Sequence, residues 1–340
     1  MLKRILAVAL ALGLGLSNVY ADSLLINGAG ATFPYPIYSK WFDVYQSIDP
    51  SVRFNYQSIG SGGGVKQISA MTVDFGASDG PMTSDEMKGA EGGQIFHIPM
   101  VAGAVVIAYN LPGVGKGLKL TPDAIADIFL GNIKMWNDPK LVQLNPDMAL
   151  PATSIVAAHR SDGSGTTNIF TDYLSNVSAE WKSRVGVGKS VGWPVGLGGK
   201  GNEGVAGLVK QTPGAVGYVE LAYADANNLP YAFVQNKSGN FIEPSLAATS
   251  AAIAGKMNDM PKDFRVSIVN ADAPDAYPIS GFTWILVYKN QKDAVKGKAL
   301  LGFLRWAISD GQKYASELGY APLPDAIKPM ITEKLDSIKV

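Results

Sequence analysis

Apolar residues along this chain recur with two alternating periods, near two and near 3.6, and the switches between them outline an α/β protein. Leu24-Leu25-Ile26 reads as a short strand running into Gly28-Ala29-Gly30-Ala31-Thr32-Phe33. Ile37, Trp41, Val44, Tyr45 and Ile48 then share one helical face. Val52, Phe54 and Tyr56 alternate as on a half-buried strand, which ends in Ser58-Ile59-Gly60-Ser61-Gly62-Gly63-Gly64. Val65 and Ile68 begin a second helix, and Val73 to Ala77 is strand-like up to Ser78-Asp79. The recurring unit is strand, Gly/Ser loop, helix. In open α/β sheets ligands sit beyond the carboxyl ends of strands, so these loops should converge.

The pattern continues through the second half of the chain. Val101 to Tyr109 is a long apolar run with β-branched residues, a candidate strand crossing between two domains. Thr121-Pro122-Asp123 offers a hydroxyl cap and a proline at the first helical position, and Gly131 a stop. Ile155 to Ala158 feeds the segment Arg160 to Thr167, after which Ile169, Phe170, Tyr173 and Leu174 repeat at helical spacing. Trp193 to Gly204 is glycine-rich and precedes a helix carrying Val205, Leu208 and Val209, and Val216 to Val219 is another strand. Residues 236–280 are polar and proline-bearing, with little regular signal. Phe282 to Tyr288 could return across the domains. Leu300, Phe303, Leu304, Ala307 and Ile308, and later Ile327, Met330, Ile331 and Leu335, form closing helices that return to the first domain.

The start of the chain reads as a secretory signal. Lys3 and Arg4 precede an apolar run, Ile5 to Leu16, broken only by two glycines. Val19-Tyr20-Ala21 supplies a small-x-small cleavage site before Asp22. The apolar core is about a dozen residues, against the roughly 20 that a membrane span needs. The expected mature chain, about 320 residues, suits two domains with separate cores. Losing Lys3 and Arg4 leaves 27 Lys and Arg against 29 Asp and Glu, a net charge of about −2. Such a chain exerts no global attraction on nucleic acid or anionic membranes, so a bound anion must be held by local groups. No cysteine is present, which excludes thiol catalysis, thiolate metal sites, a disulfide framework and a lipidated cysteine after the leader.

The segment Arg160-Ser161-Asp162-Gly163-Ser164-Gly165-Thr166-Thr167 carries the most chemistry. It combines a guanidinium, the hydroxyls of Ser164, Thr166 and Thr167, and two glycines at a helix start, where unpaired N–H groups carry partial positive charge. That set suits a tetrahedral oxyanion; an ordinary capped Ser/Gly loop is the plainer reading. Asp79, among small residues at the mouth of such a site, would repel a fully deprotonated anion but accept from a protonated one. It could equally be a surface turn residue.

Other motifs fit less well. Gly28-x-Gly30-x-x-Phe33 lacks the third glycine of a dinucleotide fingerprint, and Gly188-Lys189-Ser190 lacks the upstream glycine of an NTPase phosphate loop. Gly76-Ala77-Ser78-Asp79-Gly80 matches the nucleophile elbow of serine hydrolases, but Pro81 interrupts the turn. The histidines, His97 and His159, are too few for a zinc site, and no loop has EF-hand spacing.

Several stretches together resemble the periplasmic phosphate-binding proteins of the phosphate-specific ABC transporter. They are Gly28–Pro34, Tyr56–Ile68, Val73–Met82, Leu130–Asp138, Arg160–Leu174, Trp193–Val205 and Pro213–Glu220. The likeness runs from about residue 24 to 325, weakest over 236–280. It implies a type II periplasmic binding protein fold: two α/β domains, two crossing strands and a cleft between them. The expected boundaries are 22–105 plus 287–340 for the first domain and 106–286 for the second. Family ligand positions fall on Thr32, the Phe33 amide, Ser61 and Asp79 in the first domain, and on Arg160, Ser164, the Gly165 amide and Thr166 in the second. Asp162 matches the acid that pairs with the arginine. His159 stands where relatives often have arginine, and Gly62 where some have serine. The implied role is binding of inorganic phosphate in the periplasm and delivery to an inner-membrane permease. The protein would be a monomer before docking and not an enzyme, with no cofactor, metal or nucleic acid. Another tetrahedral oxyanion, such as arsenate, phosphonate or molybdate, is the alternative cargo, and a secreted serine hydrolase the alternative class.

Overall fold

The computed structural model describes residues 23–340. The leader, with its cleavage site, lies outside the described residues. Eleven strands are present among the described residues: β1 (Leu24–Gly30), β2 (Val52–Ser58), β3 (Phe75–Ser78), β4 (Ile95–Tyr109), β5 (Lys119–Leu120), β6 (Val156–Arg160), β7 (Leu197–Gly199), β8 (Ala215–Glu220), β9 (Phe233–Gln235), β10 (Phe241–Ile242) and β11 (Ser280–Tyr288). Eight of them form one sheet in the order β2-β1-β3-β11-β4-β8-β6-β7, and β10-β9-β5 form a small second sheet.

β4 joins the two halves. Its first part, Ile95 to Ala104, pairs antiparallel with β11, and its second, Val105 to Tyr109, with β8. Every residue of β4 and β11 is buried, which is why both read as continuous apolar runs rather than alternating ones. The strand expected from Phe282 begins slightly earlier, at Ser280. All of β11 sits beside β3 or β4, so strand pairing carries the first lobe back to Ser280. Pro99 lies where the β4–β11 register shifts, a place where a missing N–H is tolerated.

The strand–loop–helix units form as their periodicity requires. Helix Tyr35–Ile48 buries Ile37, Tyr38, Trp41 and Tyr45, while Ile48 at its end is exposed rather than on the apolar face. Helix Gly165–Val177 buries Ile169, Phe170, Tyr173 and Leu174 and is capped by Ser164, whose Oγ accepts from the Thr167 N–H at 3.0 Å. Thr121 caps helix Pro122–Leu130 and Gly131 ends it in a left-handed conformation (φ +79°). Two expectations shift. The second helix starts at Ser61, ahead of Val65, and runs through three glycines. Residues 236–280 contain β10 and a helix, Leu246–Ala254, capped by Ser245.

The parallel strands β1, β2 and β3 all point the same way, as do β6, β7 and β8. Their carboxyl ends therefore deliver Thr32, Ser61 and Asp79 from one lobe and Arg160 from the other. Aromatic packing holds both supports firm: Phe42, Phe54 and Phe303 in the first lobe, Phe129, Phe170, Trp193 and Tyr218 in the second.

Candidate functional site

The expected site residues meet in one place, although they come from loops far apart in sequence. Thr32, Phe33, Ser61, Asp79, Arg160, Ser164, Gly165 and Thr166 are all buried where the lobes touch. The two faces approach closely: the Gly62 N–H donates to the Gly163 carbonyl across the seam at 2.8 Å. A Cβ added to Gly165 would lie 2.5 Å from both Asp79 Oδ2 and Ser61 Oγ. Gly60, at φ +86°, turns the chain into its helix directly against Asp162 and Gly163.

Arg160 has five N–H donors in a fixed fork. Nε donates to Asp162 Oδ1 at 2.8 Å, one Nη2 hydrogen to Asp162 Oδ2 at 2.6 Å, and one Nη1 hydrogen to Thr166 Oγ1 at 3.3 Å. One hydrogen remains on each terminal nitrogen, the spacing that suits two oxygens of a single anion. Burial pushes the Asp162 carboxyl up, but the Arg160 hydrogen bonds and charge outweigh it and hold the group below its ordinary range. The Gly201 N–H also donates to Asp162, at 3.0 Å. Behind Arg160, its backbone N–H donates to the Tyr218 hydroxyl at 3.1 Å, tying the loop to the aromatic core.

Gly165 and Thr166 occupy the first turn of their helix, and Ser61 the first turn of another, where N–H groups have no intrahelical acceptor. The Phe33 ring is in the core beside Tyr320, so only its backbone can face a ligand. Asp79 is the one acidic group among these donors. Thr283 donates to its Oδ1 at 2.8 Å, and Ser61 accepts from the Asp79 N–H at 3.1 Å. Burial pushes the Asp79 carboxyl up to about 7, against the hydrogen bond from Thr283, the charge of Arg160 and the hydroxyl of Ser61, which pull it down.

Four contributors went unmarked in the sequence: Asn202, Tyr223, Thr283 and Tyr218. Asn202 is buried, with its Nδ2 donating to Thr32 Oγ1 at 2.8 Å and to Thr166 Oγ1 at 3.1 Å. The Tyr223 hydroxyl donates to the Thr32 carbonyl at 2.6 Å. An asparagine between glycines at a helix start is the one visible signal, and it lies within the glycine-rich stretch already noted. Thr283 stands at the β4–β11 register shift, where a strand irregularity re-aims a side chain.

The hydrolase reading finds no support in the geometry. The Ser78 hydroxyl donates to the Gly80 carbonyl within its own turn. His97 Nε2 accepts from the Met82 N–H at 3.0 Å, and His159 stacks on Trp193 with ring centroids 4.8 Å apart. Among the described residues no group of three or more His, Asp or Glu side chains is arranged to hold a metal ion.

A sheet shared by two lobes, with polar groups of both meeting at one seam, is the arrangement of a binding protein that holds its ligand between lobes. The chain matches the family model described as the PBP superfamily domain over residues 18–311. It is 49% identical over 303 residues to the phosphate-binding protein PstS of Xylella fastidiosa (strain 9a5c), covering 89% of this chain and 82% of that one. It is 47% identical over 306 residues to the phosphate-binding protein PstS of Haemophilus influenzae, covering 90% of each. A high-affinity periplasmic phosphate-binding protein solved with phosphate bound shares its fold, with a TM-score of 0.72 and 22% identity, covering 91% of this chain and 93% of that one. The chain belongs to the PstS family of phosphate-binding proteins.

Proposed function

We infer that this chain binds inorganic phosphate in the cleft and delivers it to the inner-membrane permease of an ABC transporter. The observation that carries the reading is the donor set contributed by both lobes, centred on two uncommitted Arg160 hydrogens and facing one buried acceptor, Asp79. The likeness to proteins named for phosphate binding at 46–49% identity supports it. Thr32, the Phe33 amide, Ser61, Asp79, Arg160, Ser164, the Gly165 amide and Thr166 form the ligand set, with Asp162 holding the arginine.

The polarity of the set selects the cargo. Sulfate offers no proton to Asp79 near neutral pH, whereas mono- and dibasic phosphate do. A micromolar site corresponds to about −8.2 kcal/mol. Hydrogen bonds to a charged group contribute about 1.5–3 kcal/mol each, so a set of this kind can reach that after association losses. The protein works as a periplasmic carrier after leader removal, monomeric until it docks, without catalysis, cofactor, metal or nucleic acid. No helix of the described residues is long and apolar enough to cross a membrane.

Calorimetric titration tests the reading. Phosphate should bind tightly and sulfate at least about 100-fold more weakly, in line with the cost of an unpaired buried acceptor. Equal affinity would remove the role given to Asp79. A competition panel with arsenate, phosphonate and molybdate fixes the cargo among tetrahedral anions.

A further inference from the structure

Asn202 touches two of the proposed ligand residues, one from each lobe. Its amide orientation is set independently of them: Oδ1 accepts the Glu220 backbone N–H at 3.0 Å, so Nδ2 must face the hydroxyls. The two Nδ2 hydrogens are then fully used, one on Thr32 Oγ1 at 2.8 Å and one on Thr166 Oγ1 at 3.1 Å. Thr32 Oγ1 receives a second donor, the Asn202 backbone N–H, at 3.2 Å. Thr166 Oγ1 receives its second from Arg160 Nη1 at 3.3 Å.

A threonine hydroxyl has two acceptor lone pairs and one proton to give. With both lone pairs occupied, each hydroxyl can only donate. We propose that Asn202 is the positioning residue that fixes the proton direction of Thr32 and Thr166, turning two amphoteric hydroxyls into committed anion donors. This rests on the phosphate reading above and deepens it. Asp79 supplies the single acceptor of the site, and Asn202 removes the alternative in which a threonine oxygen also presents a lone pair to the ligand. Preorganised donors hold an anion more tightly than hydroxyls that must first rotate. Asn202 is buried; it follows β7, as Thr166 follows the neighbouring β6, whereas Thr32 follows β1, so the Thr32 contact is the one that needs the lobes together.

A mutant cycle measured by phosphate calorimetry tests this. Wild type, Asn202→Ala, Thr32→Val and the double variant are compared, with thermal unfolding of the ligand-free proteins as the control for folding. Asn202→Ala should weaken phosphate binding about 10- to 100-fold, the scale of ordered hydrogen bonds to a charged ligand. In the Thr32→Val background the same change should cost at least about five-fold less, since one of its targets is gone. Equal losses in the two backgrounds overturn the proposal. Asn202→Ser, which keeps one hydroxyl donor, takes the place of the alanine variant in the cycle if that variant does not fold. Asn202→Asp provides a reversed polarity, accepting from both hydroxyls. It should bind phosphate more weakly than Asn202→Ala, whereas a side chain that merely ties the lobes would leave it tighter, and that result also overturns the proposal. Wild type that fails to bind phosphate would sink the binding reading itself. Wild type that binds, with additive losses, sinks only the role of Asn202.

Discussion

Asp79 concentrates the chemistry of this protein in one side chain. It is a carboxyl placed among donors, and its environment decides whether it is charged. Asp79→Asn presents both a donor and an acceptor at the same position, so the fold should persist while discrimination collapses. Calorimetry on that variant should show the phosphate-to-sulfate affinity ratio falling at least about ten-fold, and an unchanged ratio would count against the assignment. The same group makes ligand-free stability depend on pH. Its folded-state pKa of about 7 lies above the unfolded value of about 3.9, so between those limits the native state holds a proton that the unfolded chain has lost. Its contribution is full below about pH 4 and is lost as pH rises toward 7. His97 acts in the opposite sense: burial lowers its pKa to about 3, so the unfolded chain takes up a proton below about 6.5 and stability falls with pH. Denaturation of wild type and Asp79→Asn at pH 5 and 7.5 cancels the histidine. Wild type should gain about 2 kcal/mol relative to the variant at the lower pH, and a constant difference would contradict the burial account.

At the scale of elements, the lesson is how loops at strand ends become a site. The helix starts at Ser61 and Gly165 face each other so closely that no side chain fits between them. Gly165→Ala should leave each lobe folded, because the clash is with Asp79 and Ser61 across the seam. Closure should fail, with phosphate affinity down at least about 100-fold and ligand-free melting nearly unchanged. Strands and helices with a clear period were legible from the sequence: β1, β2, the buried crossings and the amphipathic helices ending at Ile48 and Val177. Helix Leu246–Ala254 was not. Its run Leu-Ala-Ala-Thr-Ser-Ala-Ala-Ile-Ala has no polar face to mark a period, and packing rather than pattern holds it. Two- and three-residue strands such as β5, β9 and β10 carry too few positions to show alternation.

For the whole molecule, the two halves share one eight-stranded sheet. Besides the contacts at the ligand set, Lys189 Nζ meets Glu86 Oε2 at 2.9 Å, and Arg265 Nη1 donates to the Met82 carbonyl at 3.0 Å. On the proposed reading, a bound anion adds contacts to both halves and so favours the closed form. Small-angle scattering should show the radius of gyration falling when phosphate is added. The melting temperature should rise by several degrees at 100-fold excess over Kd, where linkage contributes about 2.7 kcal/mol. A scattering profile indifferent to phosphate would argue against closure.

What the sequence determined by itself was local. A guanidinium, hydroxyls and glycines at a helix start supply groups suited to an anion, because the unpaired N–H groups and the cap lie within a few residues of one another. The order of strands and loops fixes the fold class for the same reason, since each unit announces its own period. Only the tertiary structure decided what each group does with its protons. Thr32 meets Asn202 and Tyr223, and Asp79 meets Thr283, across separations of 170, 191 and 204 residues. A hydroxyl's direction and a carboxyl's charge follow from which neighbours surround it and how much water is excluded, and those neighbours are chosen by folding rather than by adjacency in the chain.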